Sequence, residues 1–132
     1  MTLTHTQNTK KSGMTLIELT VVILVLLSLI SILFVGARAW KRGSDRAGCI
    51  MNIRNVQQGM RSYQNMNGLI PGDTCDPAEI VGAGKFVETT PSCPAAGSYG
   101  ALSTTLPPVG TLYLTCSLAA SDSHVPSAYA DW

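Results

Sequence analysis

The chain has 132 residues, four of them cysteines, and its 9 basic and 8 acidic side chains give a formal net charge of +1. Binding to nucleic-acid phosphates needs a strongly basic surface, so this charge balance argues against a nucleic-acid partner, and we expect none. The sequence contains no nucleophile elbow, phosphate-binding loop or H-E-x-x-H motif, so we expect no enzymatic activity.

Residues 1–13 are short and polar, carry Lys10 and Lys11 without any acidic residue, and end in the small pair Ser12-Gly13. We interpret them as a leader peptide. Residues 14–36 then form an almost uninterrupted apolar run. At 1.5 Å per residue this run would span roughly 33 Å as a helix, which predicts a membrane-spanning segment.

Glu18 lies near the start of that apolar run. An acidic residue at the centre of a membrane helix costs about 2.5 to 3.5 kcal/mol, so carboxylates in such segments are usually partnered and functional. We therefore expect a positive partner for Glu18. The alternative is an acid at the helix start that is held near the headgroups by the positive end of the helix.

The run Lys10-Lys11-Ser12-Gly13 followed by Met14-Thr15-Leu16-Ile17-Glu18-Leu19 resembles the processing and assembly signature of type IV pilins and of the pseudopilins of type II secretion systems. The resemblance implies that a prepilin peptidase cuts between Gly13 and Met14 and that the new amino terminus is N-methylated. It also implies that the Met14 amine of one subunit pairs with Glu18 of its neighbour during assembly. The implied partners are copies of this chain in a helical filament, the prepilin peptidase, an inner-membrane assembly platform, and the lipid bilayer before assembly.

The location that follows is a single-pass inner-membrane protein with its C-terminal head outside the cytoplasm, and later a periplasmic or cell-surface filament. The positive-inside rule alone favours the opposite orientation, because more basic residues follow the apolar run than precede it. The cytoplasmic-side peptidase implied by the resemblance, and four cysteines suited to an oxidising compartment, outweigh that rule. An ordinary signal peptide is the alternative, since Ala37-Arg38-Ala39 would allow cleavage before Trp40.

Residues 37–67 are predicted to continue the helix as an amphipathic segment. Apolar residues recur at helical spacing on one face: Trp40, Ala47, Ile50, Ile53, Val56, Met60 and Tyr63. The basic residues from Arg38 to Arg61 are interpreted as a solvated helix face or a contact with lipid headgroups. We expect the helix to end near Asn67-Gly68, because Pro71 follows shortly after.

Residues 68–132 are predicted to form a small, loop-rich head. A short helix is expected over residues 77–81, with Asp76 as its N-cap. Residues 111–116 alternate with period two and predict a strand, paired with residues 98–102 in an antiparallel sheet that packs on the long helix. The expected fold class is therefore α+β and pilin-like. Asp122 and His124 are interpreted as part of a polar loop.

A head of this size would be stabilised by disulfide bonds, because its hydrophobic core is small. Four cysteines allow three disulfide connectivities, and their spacing in the sequence cannot distinguish these. We prefer a disulfide between Cys93 and Cys116, which would close a loop of about 24 residues and contribute on the order of 3 kcal/mol. Cys49 would then pair with Cys75, although either could remain a free thiol. No metal site is expected, because no C-x-x-C pair or Cys/His cluster has zinc-finger spacing.

The head segments Cys49-Ile50-Met51-Asn52-Ile53-Arg54, Ser92-Cys93-Pro94-Ala95-Ala96-Gly97-Ser98-Tyr99 and Cys116-Ser117 with His124 are similar to a recurring pattern among uncharacterised pilin-like proteins. The similarity implies a shared fold and names no ligand. No cofactor is expected, with calcium as the alternative. Its hard oxygen ligands would come from Asp73, Asp76, Glu79, Asp122 and Asp131. Because these acids lack EF-hand spacing, we interpret them as turn and cap residues.

The resemblance implies a structural subunit of a type IV pilus-like filament, polymerised through its N-terminal helix. A major-type pseudopilin of a type II secretion system is the alternative within the same family. From another class, a secreted or membrane-anchored binding domain with disulfides also fits the sequence.

Overall fold

A computed structural model describes residues 13–132. The predicted leader peptide therefore lies outside the described residues, apart from Gly13. Two helices lie within these residues, α1 over Leu16–Met66 and α2 over Pro77–Ile80. It divides into two compact units, Met1–Arg38 and Ala39–Trp132.

The first part of α1 is long and apolar enough to cross a membrane, which is compatible with single-pass anchoring and equally with a signal sequence. Its large apolar side chains are exposed, from 46% at Leu19 to 78% at Leu16. The hydroxyls of Thr20, Ser28 and Ser31 donate to main-chain carbonyls of the preceding turn, at 2.7 to 2.9 Å. The polar residues of this segment thus satisfy their hydrogen bonds within the helix, as an apolar surrounding requires.

The second part of α1 supplies one side of the core of the head. Ile53, Val56 and Met60 are buried, as the helical spacing predicts, whereas Trp40 is 79% exposed and does not belong to the buried face. Buried residues contributed by the loops complete the core: Cys75, Ile80, Cys93, Leu106, Tyr113, Leu114 and Cys116. The apolar pattern therefore located the core-facing part of the helix but extended it too far towards the amino terminus.

Both predicted helix ends in the head are confirmed to within a residue. Gly68 has a φ of 64° just after α1, where the N–H groups of Asn67 and Leu69 bond back to the last turn. The Asp76 side chain caps α2 by accepting from the N–H of Ala78 at 2.9 Å.

The predicted antiparallel sheet is not found, because residues 13–132 contain only isolated β-bridges. One bridge, Tyr99 with Cys116, joins the two predicted strands in the expected antiparallel sense. The predicted alternation also fails, because the adjacent residues Tyr113 and Leu114 are both buried.

The physical reason is a side chain of α1 that takes the place of a strand. Gln57 accepts from the N–H of Tyr113 at 2.8 Å and donates to the carbonyl of Thr111 at 3.1 Å. These are the main-chain groups that a neighbouring strand would otherwise satisfy. A buried glutamine on the helix therefore allows residues 111–116 to remain irregular.

Candidate functional site

The predicted processing and assembly residues lie at the amino-terminal end of α1 and just before it. Gly13, Met14 and Thr15 precede the helix in non-helical conformation, and Met14 is 73% exposed. Glu18 Oε2 accepts from the N–H of Thr15 at 2.9 Å, and Thr15 Oγ1 accepts from the N–H of Glu18 at 3.3 Å. This reciprocal pair is a capping box, so within one chain Glu18 acts at the helix start.

Glu18 nevertheless keeps acceptor capacity. Only one of its carboxylate oxygens is engaged by the Thr15 N–H. Among the described residues the ion pairs are Lys41 with Asp45 and Lys85 with Glu79, and neither involves Glu18. The exposed carboxylate can therefore accept a further donor, such as an ammonium group, without giving up its capping bond.

A second site lies in the head, where three cysteines and one histidine converge. Their ligating atoms lie within 4.8 Å of one another and all four residues are buried. We call this group the Cys/His cluster: Cys49, Cys93, Cys116 and His124. Cys49 comes from α1 and the other three come from loops, so the cluster joins the helix to three separate parts of the head.

The cluster brings together some of the predicted disulfide partners and separates others. Cys93 and Cys116 are neighbours, with their Sγ atoms 3.8 Å apart, but all four cysteines of the chain are free thiols. Cys75 lies outside the cluster, where its Sγ contacts the Ser103 carbonyl and the Tyr113 hydroxyl. The expected pairing of Cys49 with Cys75 is therefore not formed, and Cys49 is grouped with the other two cysteines.

Hydrogen-bond donors surround the sulfur atoms of the cluster. The Tyr99 hydroxyl donates to Cys49 Sγ at 3.4 Å, and the N–H of Leu118 donates to Cys116 Sγ at 3.5 Å. The main-chain N–H groups of Ala95 and Gly97 act on Cys93 by lowering its pKa. Cys49 and Cys116 therefore each have a hydrogen-bond donor directed at their sulfur.

These surroundings shift the acidity of two thiols in opposite directions. Burial raises the pKa of Cys49 to about 12, and the Tyr99 hydroxyl opposes this only in part. Burial also acts to raise the pKa of Cys93, but the N–H groups of Ala95 and Gly97, together with the thiols of Cys116 and Cys49, outweigh it, so its pKa lies below the usual value. The Cys93 thiol is therefore more acidic than an ordinary cysteine, and the Cys49 thiol is less acidic.

Two glycines let the loops approach the cluster closely. A Cβ on Gly48 would lie 3.1 Å from Pro94, so the glycine next to Cys49 permits contact between α1 and the loop carrying Cys93. A Cβ on Gly97 would lie 2.9 Å from Leu118 Cγ and 3.1 Å from Cys116 Sγ. Larger residues at either position would force the segments that supply the cysteines apart.

His124 is the residue that sequence reasoning misplaced most clearly. It was expected in a polar loop but is only 2% exposed, with its Nδ1 3.6 Å from Cys93 Sγ. Spacing does not reveal the cluster because its residues are far apart in the sequence, and His124 follows Cys93 by 31 positions. The head segments whose similarity was described above include all four cluster residues and omit Cys75, but that similarity names no ligand.

The acidic residues considered for calcium are dispersed. Asp73 accepts from the N–H of Ile70 and Asp76 caps α2, which confirms the turn and cap interpretation for these two. Glu79 pairs with Lys85, Asp122 accepts from the hydroxyl of Ser121, and Asp131 lines a groove beside Trp132. Within the part of the chain described, these carboxylates form no group of three.

Arg61 was interpreted as part of a solvated helix face, but its side chain binds main-chain oxygens of the head. Its guanidinium donates to the main-chain oxygens of Pro107, Pro108 and Trp132, at 3.0 to 3.1 Å, and burial lowers its pKa. Arg54 lies over the Trp132 ring, 5.4 Å from its centre. This part of the basic region therefore holds the end of the head against α1.

No family model, curated protein or solved structure matches this chain. The resemblance of residues 10–19 to the pilin signature thus remains a prediction carried by those residues alone.

Proposed function

We propose that the chain is a structural subunit of a type IV pilus-like filament that is cut between Gly13 and Met14 and polymerises through the first part of α1. The observation that carries the proposal is the apolar first part of α1, which the rest of the protein does not bury and which has a single carboxylate in its first turn. Copies of this chain, a prepilin peptidase and an inner-membrane assembly platform are the partners that the proposal requires.

The exposed apolar surface of α1 supports assembly through this segment. Within the window that meets the criteria for a membrane span, none of the helix is buried by the rest of the protein. Burial of apolar surface is worth roughly 25 cal/mol per Å², so these side chains need either lipid or other copies of the helix around them. A subunit that moves from the bilayer into a helical bundle satisfies this requirement at both stages.

Glu18 supplies one half of the proposed charge pair between neighbouring subunits. Cleavage after Gly13 would create an ammonium group on Met14, one residue before the capping threonine. The carboxylate oxygen left unused by the capping box could accept this ammonium from a neighbouring subunit. Stranding one charge of a buried pair costs about 3 to 5 kcal/mol, so a filament would strongly favour subunits that carry both groups.

The conformation around the proposed cut is suited to proteolysis. Residues 13–15 are not helical, and Gly13 and Met14 are exposed. A peptidase needs its substrate in an accessible, non-helical form, so the start of α1 at Leu16 leaves the Gly13–Met14 bond free for attack.

The alternative of a type II secretion pseudopilin requires the same cleavage and assembly through the same helix. It differs from the pilus subunit in that its filament would belong to a secretion system. The binding-domain alternative requires a different amino terminus, since signal-peptidase cleavage after Ala39 would remove Glu18 and the apolar helix segment together. The mature amino terminus therefore separates the filament class from the binding-domain class.

The test is mass spectrometry of the amino-terminal peptide from membrane and sheared-surface fractions. N-methylated Met14 in both fractions is the expected result, and recovery from sheared material indicates a surface pilus. Processed protein confined to the cell envelope would favour the pseudopilin. An amino terminus at Trp40, or an intact Met1, would overturn the proposal.

A further inference from the structure

We propose that the Cys/His cluster is a structural zinc site, in which three thiolates and one imidazole bind a single Zn²⁺ ion. The inference is independent of filament formation, since it rests on residues of the unit Ala39–Trp132. It also gives three of the cysteines a role as metal ligands, whereas their number and the expected oxidising compartment suggest disulfides.

Two of the distances between ligand atoms in the cluster match the edges of a zinc tetrahedron. With Zn–S bonds of about 2.3 Å and a Zn–N bond of about 2.05 Å, tetrahedral geometry places two sulfurs about 3.8 Å apart and a sulfur and nitrogen about 3.6 Å apart. Cys93 Sγ and Cys116 Sγ are 3.8 Å apart, and Cys93 Sγ and His124 Nδ1 are 3.6 Å apart. A disulfide would instead require about 2.05 Å between the sulfurs.

The hydrogen bonds to sulfur support bound thiolates. A neutral thiol is a weak acceptor, whereas a metal-bound thiolate carries negative charge that N–H and O–H donors stabilise. Three thiolates and Zn²⁺ leave a net charge of minus one in a buried place, which would be costly without such donors. The Tyr99 hydroxyl donates to Cys49 Sγ and the Leu118 N–H donates to Cys116 Sγ.

The ligand set selects both the ion and the type of site. Soft thiolates with an imidazole in a tetrahedral arrangement favour zinc, whereas calcium and magnesium require oxygen ligands. Four protein ligands complete the coordination of Zn²⁺ and leave no position for water or substrate. The side chains are 0 to 7% exposed, so the site is closed and structural.

The architecture of the head explains why such a site would be needed. The unit Ala39–Trp132 contains α2, four residues long, and isolated bridges besides its part of α1. Small domains with few regular elements commonly depend on metal ions or disulfides for stability. One ion bound by Cys49 and by three loop residues would fix those loops on α1 at a single point.

Zinc binding would release thiol protons, and it would compete with oxidation of the same cysteines to a disulfide. Up to three thiol protons are released to solvent as the thiolates bind Zn²⁺, so affinity falls as the pH falls. Oxidation of Cys93 and Cys116 to a disulfide would release two protons, pass two electrons to an external oxidant and remove two of the four ligands. The metal and the disulfide are therefore mutually exclusive states of the same residues.

The first experiment measures metal and thiols on the full chain, purified in detergent without chelator. We expect one zinc per chain and four titratable thiols after denaturation with a chelator and without reductant. Cobalt(II) replacement should give thiolate-to-cobalt charge transfer in the near ultraviolet and the intense visible bands of a tetrahedral ion. Protein that holds no stoichiometric zinc after incubation with zinc, or only two free thiols with a Cys93–Cys116 disulfide peptide, would overturn the proposal.

A matched pair of variants assigns the metal to the cluster. Cys116 and Cys75 are buried to a similar extent, 5% and 7% exposed, but only Cys116 belongs to the cluster. Cys116→Ser should lose stoichiometric zinc and the tetrahedral cobalt spectrum, whereas Cys75→Ser should keep both. Loss of zinc in Cys75→Ser or retention in Cys116→Ser would contradict the assignment. If Cys116→Ser does not fold, the cobalt spectrum of the unmodified chain still decides between metal and no metal.

Discussion

The two roles of Glu18, in capping and in assembly, can be separated by substitution. Glu18→Gln removes the charge but keeps a side-chain oxygen that can accept from the Thr15 N–H, because glutamine also serves in a capping box. Thr15→Ala does the opposite, since it removes the bond to the Glu18 N–H and leaves the carboxylate. The pair therefore tests whether the charge or the cap matters for filaments.

The expected magnitudes differ widely. Loss of an N-cap hydroxyl costs about 1 kcal/mol at one end of a helix of 51 residues, so Thr15→Ala should leave the helix and the filament largely intact. Glu18→Gln would strand the Met14 ammonium of the neighbour inside the proposed filament. At about 3 to 5 kcal/mol, subunit addition should weaken by about 10²- to 10⁴-fold.

The assay compares the two variants with the unmodified chain in membrane and sheared fractions, with the amino terminus read by mass spectrometry in each. Glu18→Gln should accumulate in the membrane as chains that begin at Met14, with little protein in the sheared fraction. Thr15→Ala should resemble the unmodified chain. Normal filaments from Glu18→Gln, or equal losses in both variants, would refute the charge-pairing argument.

Three further changes test the packing of the head, each followed by thermal unfolding of the full chain in detergent. Gln57→Leu should destabilise by about 2 to 4 kcal/mol because it leaves two main-chain groups without partners, whereas Gln58→Leu, at an exposed position, should have little effect. Gly59→Ala should cost about 1 to 3 kcal/mol, since the new Cβ would lie 2.7 Å from Val87 Cγ2. Asp76→Ala should cost about 1 kcal/mol through the lost cap of α2. Equal effects of Gln57→Leu and Gln58→Leu, or an unchanged melting temperature in the other two variants, would contradict these assignments.

Local features of the fold could be predicted from the sequence. The caps at Gly68 and Asp76 were found because capping depends on a few neighbouring residues. The core-facing positions Ile53, Val56 and Met60 followed from helical spacing. In each case the sequence pattern that supports the prediction spans only a few positions along the chain.

Long-range features could not be predicted in the same way. The period-two pattern of residues 111–116 predicted a strand, but Gln57, more than 50 positions earlier, satisfies the carbonyl of Thr111 and the N–H of Tyr113 instead. The Cys/His cluster has the same character, since burial of His124 against Cys93 depends on how the loops fold back on α1. Neither the contact of Gln57 with Thr111 and Tyr113 nor that of His124 with Cys93 can be predicted from residue type and spacing.

Gln57 bonds main-chain groups that a neighbouring strand would otherwise bond, and this affects how the head behaves when many copies of the protein lie close together. A sheet presents unpaired main-chain groups along its outer strands, and these can recruit a strand from another molecule. Subunits held side by side, on a membrane or along a fibre, would meet such edges continually. The N–H of Tyr113 and the carbonyl of Thr111 instead bond to one side chain of the same chain. These two main-chain groups are therefore not available to a strand from a neighbouring copy, which reduces the tendency to β-aggregation.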